Sequence, residues 1–252
     1  MCFTMIIPKN EEEIKKMRKA GKIVAELLEK VEKLIKPGIS LNKIDELAWE
    51  ITRRRNGYPS FYKYQNYPAA VCVSINEEVI HGIPRKDKVI KDGDIISVDF
   101  GAIYEGFHAD AAKTFIVGDR DEKSKILVKI TEEVLYEAIK YVKPETRTGD
   151  LGNFIESYVK RFGFSVVKEF CGHGIGRMLH EDPPILNYGT PGKGIKLIKN
   201  LAICIEPMIC MGSSEVEILE DGWTVVTKDR SLSAHFEHTI IIRDGENEII
   251  TS

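Results

Sequence analysis

Residues 93–118, GDIISVDFGAIYEGFHADAAKTFIVG, decide how the chain folds. Apolar residues alternate from Asp94 to Phe100, a turn follows at Tyr104-Glu105-Gly106, and a second apolar run extends from Phe107 to Val117. This pattern predicts a β-hairpin. It carries one carboxylate on each strand, Asp99 and Asp110, and across a hairpin two such residues face each other within about 5 Å. Carboxylates that close on a half-buried face repel, and must be neutralised by a divalent cation, a proton or a nearby lysine.

Outward from the hairpin, the same signals recur. Asp94-Ile95-Ile96-Ser97-Val98-Asp99-Phe100 can be laid over Leu201-Ala202-Ile203-Cys204-Ile205-Glu206-Pro207, with an acid sixth in each. Ala109-Asp110-Ala111-Ala112-Lys113-Thr114 likewise parallels Phe236-Glu237-His238-Thr239. Each of these strand pairs follows two amphipathic helices. The first helix opens on a capping box at Asn10 to Glu13 and runs to Pro37-Gly38; the second is expected to be capped by Ser40 and to end in Arg53-Arg54-Arg55. Two more are expected over 122–142 and, after Thr148, 149–162. A Tyr-rich, Pro-bounded loop is expected over 57–68, a strand at Val71, Val73 and Ile75, and further strands over 164–170, 201–207, 215–219, 223–227 and 235–243. The order helix, helix, hairpin thus occurs twice. Two similar halves facing each other would bring four carboxylates to one centre.

Any one of these acids alone reads most simply as an edge carboxylate facing water or a salt bridge. Four at equivalent places in a repeated pattern point instead to metal. Oxygen-rich sets with an imidazole suit hard to borderline ions such as Mn, Fe(II), Co or Zn. Four acids exceed what one ion needs, which suggests two ions roughly 3.5–4 Å apart. Imidazoles are available in Cys171-Gly172-His173-Gly174, in His180 before Glu181-Asp182-Pro183-Pro184, and in His81-Gly82-Ile83-Pro84. His108, His235 and His238 also flank the acids, so spacing alone does not choose among the six. No P-loop occurs, and no dinucleotide fingerprint in a strand-to-helix setting.

Composition narrows the class. At 252 residues, 43% hydrophobic and 30% charged, the chain suits one large globular domain or two small ones, not a disordered or fibrous protein. With 36 basic against 39 acidic residues, net −3, gripping DNA or RNA by bulk charge is disfavoured. The basic stretches Lys15 to Lys19 and Arg53 to Arg55 read as solvated helix faces. Five scattered cysteines without a C-x-x-C pair argue against a disulfide scaffold and a structural zinc. No run approaches the roughly 20 apolar residues of a membrane span, and the short N-terminal apolar run is not a secretory signal. The expected compartment is a reducing cytoplasm.

The stretches KMRKAGKIVAELL, VSINEEVIHGIP, the hairpin itself, CGHGIGRMLHEDPPILNYG, IEPMI and DGWTVVTKDRSLSAHFEHTIII together resemble the type I methionine aminopeptidases over nearly the whole chain. The resemblance implies an α/β (α+β) pita-bread fold, two pseudo-twofold halves (about 10–118 and 119–250) forming one catalytic domain over 1–252. It implies two divalent metal ions, with Asp99 a ligand of one, His173 and Glu206 ligands of the other, and Asp110 and Glu237 bridging. His81 and His180 correspond to the family's catalytic histidines. Tyr64, Tyr67, Cys72, His81, Leu179, His180 and Trp223 fall at its substrate-binding positions, and of the cysteines only Cys72 is then expected near substrate. Leu179 stands where Phe is common in bacterial members, and Phe61 where some carry Cys. The implied reaction is removal of methionine from the N-termini of nascent polypeptides when the second residue is small, a metal-bridged hydroxide attacking the scissile carbonyl. Glu206 would carry the proton, His180 would contact the carbonyl oxygen and His81 the scissile nitrogen. Ribosome docking is implied for an enzyme of nascent chains, and nothing demands more than a monomer. The rival readings are a prolidase or Xaa-Pro aminopeptidase of the same fold, and a metal-free binding module built on it. Relatives of the first kind usually carry an extra N-terminal domain, whereas this chain enters its first helix by residue 11.

Overall fold

The computed structural model describes residues 6–252; Cys2 and most of the N-terminal apolar run lie outside the described residues. The first helix, α1 (Glu11–Leu34), starts where the sequence says it should. Asn10 Oδ1 accepts from Glu13 N at 3.0 Å and Glu13 Oε2 accepts from Asn10 N at 3.1 Å, closing the capping box. Its buried stripe includes Ile14, Met17, Val24, Leu27 and Val31. In α2 (Asn42–Arg54) the cap differs from expectation. Leu41 occupies the cap position, and the Ser40 hydroxyl donates instead to Lys86 O at 2.8 Å. Ser40 is drawn away because its backbone forms a β-bridge with Val89.

Between the helix pairs lie β1 (Tyr58–Pro59), β2 (Cys72–Ile75), β3 (Glu78–Ile80), β4 (Ile95–Tyr104) and β5 (Phe107–Ile116). Helices α3 (Glu122–Tyr141) and α4 (Thr148–Lys160) follow. Asp121 caps α3 by accepting from Ser124 N at 3.0 Å. The second half then continues with β6 (Ser165–Val166), β7 (Gly172–Gly174), β8 (Glu181–Ile185), β9 (Ala202–Ile205) and β10 (Met208–Cys210). Last come β11 (Val216–Ile218), β12 (Val225–Thr227), β13 (Ser233–His235), β14 (Glu237–Ile241) and β15 (Glu248–Ile249). The expected strand 164–170 is only two residues long, and 235–243 is split at Phe236 into β13 and β14, which join different sheets.

The large sheet runs β1-β4-β5-β14-β9-β7-β8, with β2 also on β4 and β15 on β14. Its pairings are antiparallel, and β5 against β14 makes it continuous from the first half of the chain to the second. Period-two alternation sorts its faces. Ile96, Val98, Phe100 and Ala111 turn to one side and pack with α1 and α2 residues such as Leu27 and Ile44. Ile203, Ile205 and Ile240 do the same with α3 and α4 through Val134 and Ile155. The intervening residues, among them Asp99, Asp110 and Glu237, face the opposite side.

Register refines the hairpin reading. Asp99 pairs with Ala112, and Asp110 with Gly101, so the two acids are diagonal neighbours rather than directly opposite. The two-residue turn Glu105-Gly106, both at positive φ (48° and 78°), sets that register. The offset is two residues, so both acids stay on one face. Glu237 also pairs with Ala112, from the other side. One row across the sheet therefore reads Cys72, Asp99, Ala112, Glu237, with a methyl group between two acids.

Candidate metal centre

Ala112 is small enough for the carboxyl groups on either side to converge above it. Asp99, Asp110 and Glu237 bring oxygens within 4.8 Å of one another. Glu237 also meets His173 and the Cys204 thiol within the same distance, so it is common to two clusters. Asp110 and Glu237 are almost completely buried. Asp99 Oδ1, Asp110 Oδ1 and Glu237 Oε1 have no hydrogen-bond partner among the described residues. No Lys or Arg among the described residues lies within salt-bridge distance of these three or of Glu206. Of the three neutralisers that the sequence allowed, lysine is thereby removed.

The electrostatic consequence is uniform. Burial drives the carboxyls of Asp99, Glu206 and Glu237 well above their ordinary range, and neighbouring carboxylates drive them further. Asp110 is also raised, by burial. Orphaned, crowded, buried acids beside a neutral imidazole are the donor set of a divalent metal centre. The residues present therefore fit such ions.

His173 is prepared as a donor. Its Nδ1 lies 2.9 Å from Gly174 O, and a carbonyl can only accept, so Nδ1 carries the proton and Nε2 presents its lone pair. Burial holds its pKa down to about 3, leaving the ring neutral. Nε2 stands 3.7 Å from Glu206 Oε1. The backbone around it is tight: a Cβ on Gly172 would lie 2.3 Å from Cys204 O, and one on Gly174 2.2 Å from Asp182 O. That is why the histidine sits between glycines.

All twelve residues singled out from the sequence line one cavity of about 140 Å³, together with Phe61 and Gln65. Its floor is the carboxylate cluster. The walls are Tyr64, Tyr67, Cys72, Leu179 and Trp223, and the Tyr67 and Trp223 rings meet edge to face at 5.1 Å. Tyr67 is fixed by its hydroxyl, which donates to Gly82 O at 2.9 Å. His81 lies edge-on to Phe170 and Trp223 with φ at +58°, an uncommon conformation for a non-glycine residue. Burial and the His180 charge hold its pKa down to about 4. His180 packs on His173 with ring centroids 4.3 Å apart, and its Nδ1 meets Tyr64 Oη at 2.6 Å.

Three further neighbours reach the centre; of these the sequence offers His235, as one of six histidines that spacing does not separate. His235 Nε2 stands 3.7 Å from Glu206 Oε2. It lies two positions before Glu237, a spacing that signals proximity, but so do those of other histidines. Asn187 donates from Nδ2 to Glu206 O at 2.9 Å, and no local motif marks it. Cys204 is closer than expected. Its thiol meets Thr239 Oγ1 at 3.4 Å, and that hydroxyl bridges Asp110 N and O across the seam between the halves.

Residues 15–244 match the family described as "Metallopeptidase family M24". The chain belongs to this family. As a member of it, the chain is a metal-dependent hydrolase, and the unpartnered acids are where its divalent metal requirement is legible. A protein from Clostridium acetobutylicum named "Methionine aminopeptidase" is 47% identical over 247 residues, 98% of this chain and 99% of its own. The crystal structure of methionine aminopeptidase from Thermotoga maritima superposes with a TM-score of 0.97 at 51% identity, covering 98% of this chain and all of that one. The fold is the pita-bread arrangement of this family. Prolidase from Pyrococcus furiosus shares it at a TM-score of 0.80, but at 22% identity and over 65% of that chain, a likeness of fold alone.

Proposed function

We propose that this chain removes N-terminal methionine from polypeptides whose second residue is small. The carrying observation is the union of two features in one cavity: a buried carboxylate and imidazole cluster without Lys or Arg partners among the described residues, and an apolar recess opening on it. The likeness to full-length relatives named methionine aminopeptidase supports the substrate. The cavity of about 140 Å³ spans both features, and Tyr64, Tyr67, Cys72, Leu179 and Trp223 give it an apolar side. An unbranched thioether adapts well to such a recess.

In this reading Asp99, Asp110, His173, Glu206 and Glu237 hold two divalent ions, drawn from Mn, Fe(II), Co and Zn according to supply. Bound there, the ions supply Lewis acidity to the scissile carbonyl and acidify water. The chain's own groups do the rest. Glu206 accepts the water's proton and returns it to the leaving amine. Tyr64 donates its hydroxyl proton to His180 Nδ1, which leaves Nε2–H as a donor for the carbonyl oxygen as charge develops on it. His81 contacts the scissile nitrogen, and Tyr67, Cys72, Leu179 and Trp223 grip the methionine side chain. Phe61 and Gln65 complete the lining, and the confined space would exclude large second residues.

The free thiols Cys72, Cys171, Cys204 and Cys210 accord with a reducing cytoplasm, where nascent chains are met. For ribosome docking the basic stretches lend little support, since Arg18, Arg54 and Arg55 are held by Glu248 and Glu26. Rates on Met-Ala-, Met-Val- and Met-Leu-headed peptides test selectivity. The reading requires a fall along that series; equal rates, or cleavage of Ala-Pro in preference to Met-Ala-Ser, overturn it.

A further inference from the structure

Glu206 stands between two imidazoles. His173 Nε2 is 3.7 Å from its Oε1, and His235 Nε2 is 3.7 Å from its Oε2. The two rings differ in one respect. His173 has a carbonyl for its Nδ1, whereas neither ring nitrogen of His235 has a hydrogen-bond partner among the described residues, although the residue is 1% exposed. An unpartnered buried N–H is costly, and such an exception calls for a reason.

The main chain that carries the ring is fixed from both sides. His235 N donates to Thr114 Oγ1 at 2.9 Å, and Thr114 Oγ1 donates to His235 O at 2.7 Å. Ser97 Oγ meets the same hydroxyl at 2.8 Å. On its other edge His235 pairs with Met208. The first hairpin thus clamps the main chain at the point where β13 passes into β14. Among the described residues the side-chain hydrogen bond to Glu206 comes from Asn187 and reaches its main chain, so its carboxyl orientation is set by what faces it.

We propose that His235 is a positioning residue for the reaction, its Nε2–H directed at Glu206 Oε2 so that Oε1 stays turned toward His173. The separation of 3.7 Å is longer than a hydrogen bond, so the proposal requires the Glu206 side chain to turn toward the ring. The proposal rests on the reading of Glu206 as proton carrier and metal ligand. Partners of this kind orient metal-binding carboxylates and histidines elsewhere.

Two variants separate positioning from packing. His235→Phe keeps the ring shape and removes the donor; His235→Gln keeps an N–H at similar reach. With saturating Mn²⁺ and Met-Ala-Ser, His235→Phe should lower kcat by roughly 10- to 100-fold with KM changed less than about threefold. Calorimetric Mn²⁺ affinity, read without substrate, should fall about tenfold in the same variant. His235→Gln should recover both. A Phe variant matching the parent in both readouts overturns the proposal, and so does a Gln variant that falls as far as Phe. If His235→Phe fails to fold by circular dichroism, His235→Asn replaces it, its amide being too short to reach; full activity and affinity there overturn the proposal too. Failure of the parent chain to release methionine would count against the functional reading, and the calorimetric arm would still decide the role of His235.

Discussion

Tyr64 Oη and His180 Nδ1 are 2.6 Å apart, joining a residue of the Tyr-rich loop to the loop that follows β7. The contact gives Tyr64 a second duty beside lining the cavity: it holds the His180 ring by Nδ1. Tyr64→Phe preserves the ring and its packing but frees the imidazole. A single hydrogen bond of this kind is worth about 1 kcal/mol, so kcat should fall by roughly 3- to 10-fold. Thermal stability should fall by no more than that one bond contributes. A fall in Tm with unaltered kcat would assign Tyr64 to packing instead.

Metal binding should release protons. The carboxyls of Asp99, Asp110, Glu206 and Glu237 are all raised, so in the metal-free protein they retain protons above the usual carboxylate range. Groups raised in the folded state contribute stability below their unfolded pKa of about 4, and lose it as pH rises through the folded values. Binding a cation displaces those protons, so affinity rises with pH. The metal-induced gain in Tm should therefore grow from pH 6 to pH 8, and calorimetry in buffers of different ionisation enthalpy should report net proton release. A binding heat independent of buffer would contradict the raised values.

Lys9 and Glu181 form a buried pair at 2.6 Å, with Lys9 4% exposed. Glu181 Oε1 also accepts from Arg177 N at 2.7 Å and Met178 N at 3.2 Å, so the pair holds the loop that carries Leu179 and His180. Lys9→Met leaves Glu181 without its cation, a loss of about 3 kcal/mol. Chemical denaturation should show that loss, and adding Glu181→Gln should recover part of it. Loss of equal size in the single and double variants would mean that the charge pair is not the cause.

Gly21 tests packing against propensity. In the middle of a helix Ala outranks Gly by about 1 kcal/mol. A Cβ on Gly21, however, would lie 1.8 Å from Ile250 O, in a segment pinned by Ile250 N donating to Thr239 O at 3.1 Å. Gly21→Ala should accordingly destabilise by about 2 kcal/mol in urea unfolding. A stabilised variant would show that the C-terminal segment yields.

The outer layer was legible because it is periodic: α1 with its capping box, α3, and the β4–β5 hairpin sit within a few residues of their expected places. Tertiary demands account for the misses. Ser40 gave up its cap to a β-bridge with Val89, and β7 and β8 are too short and Gly- or Pro-rich to carry a strand pattern. The acids could be picked out by the repeat, but not their register, which depends on a two-residue turn. His235 could not be told from the other histidines near the acids, and Asn187 reaches the centre through a long-range hydrogen bond to Glu206 O that no spacing shows.

Metal-dependent excision of N-terminal methionine is checked by assaying free methionine from Met-Ala-Ser on metal-stripped protein and again after adding back one metal at a time. The stripped chain should be inactive, and at least one of Mn²⁺, Fe²⁺, Co²⁺ and Zn²⁺ should restore turnover, while Glu206→Gln with the same metal stays inactive. Activity that survives stripping, or no methionine release with any of the four, would contradict it.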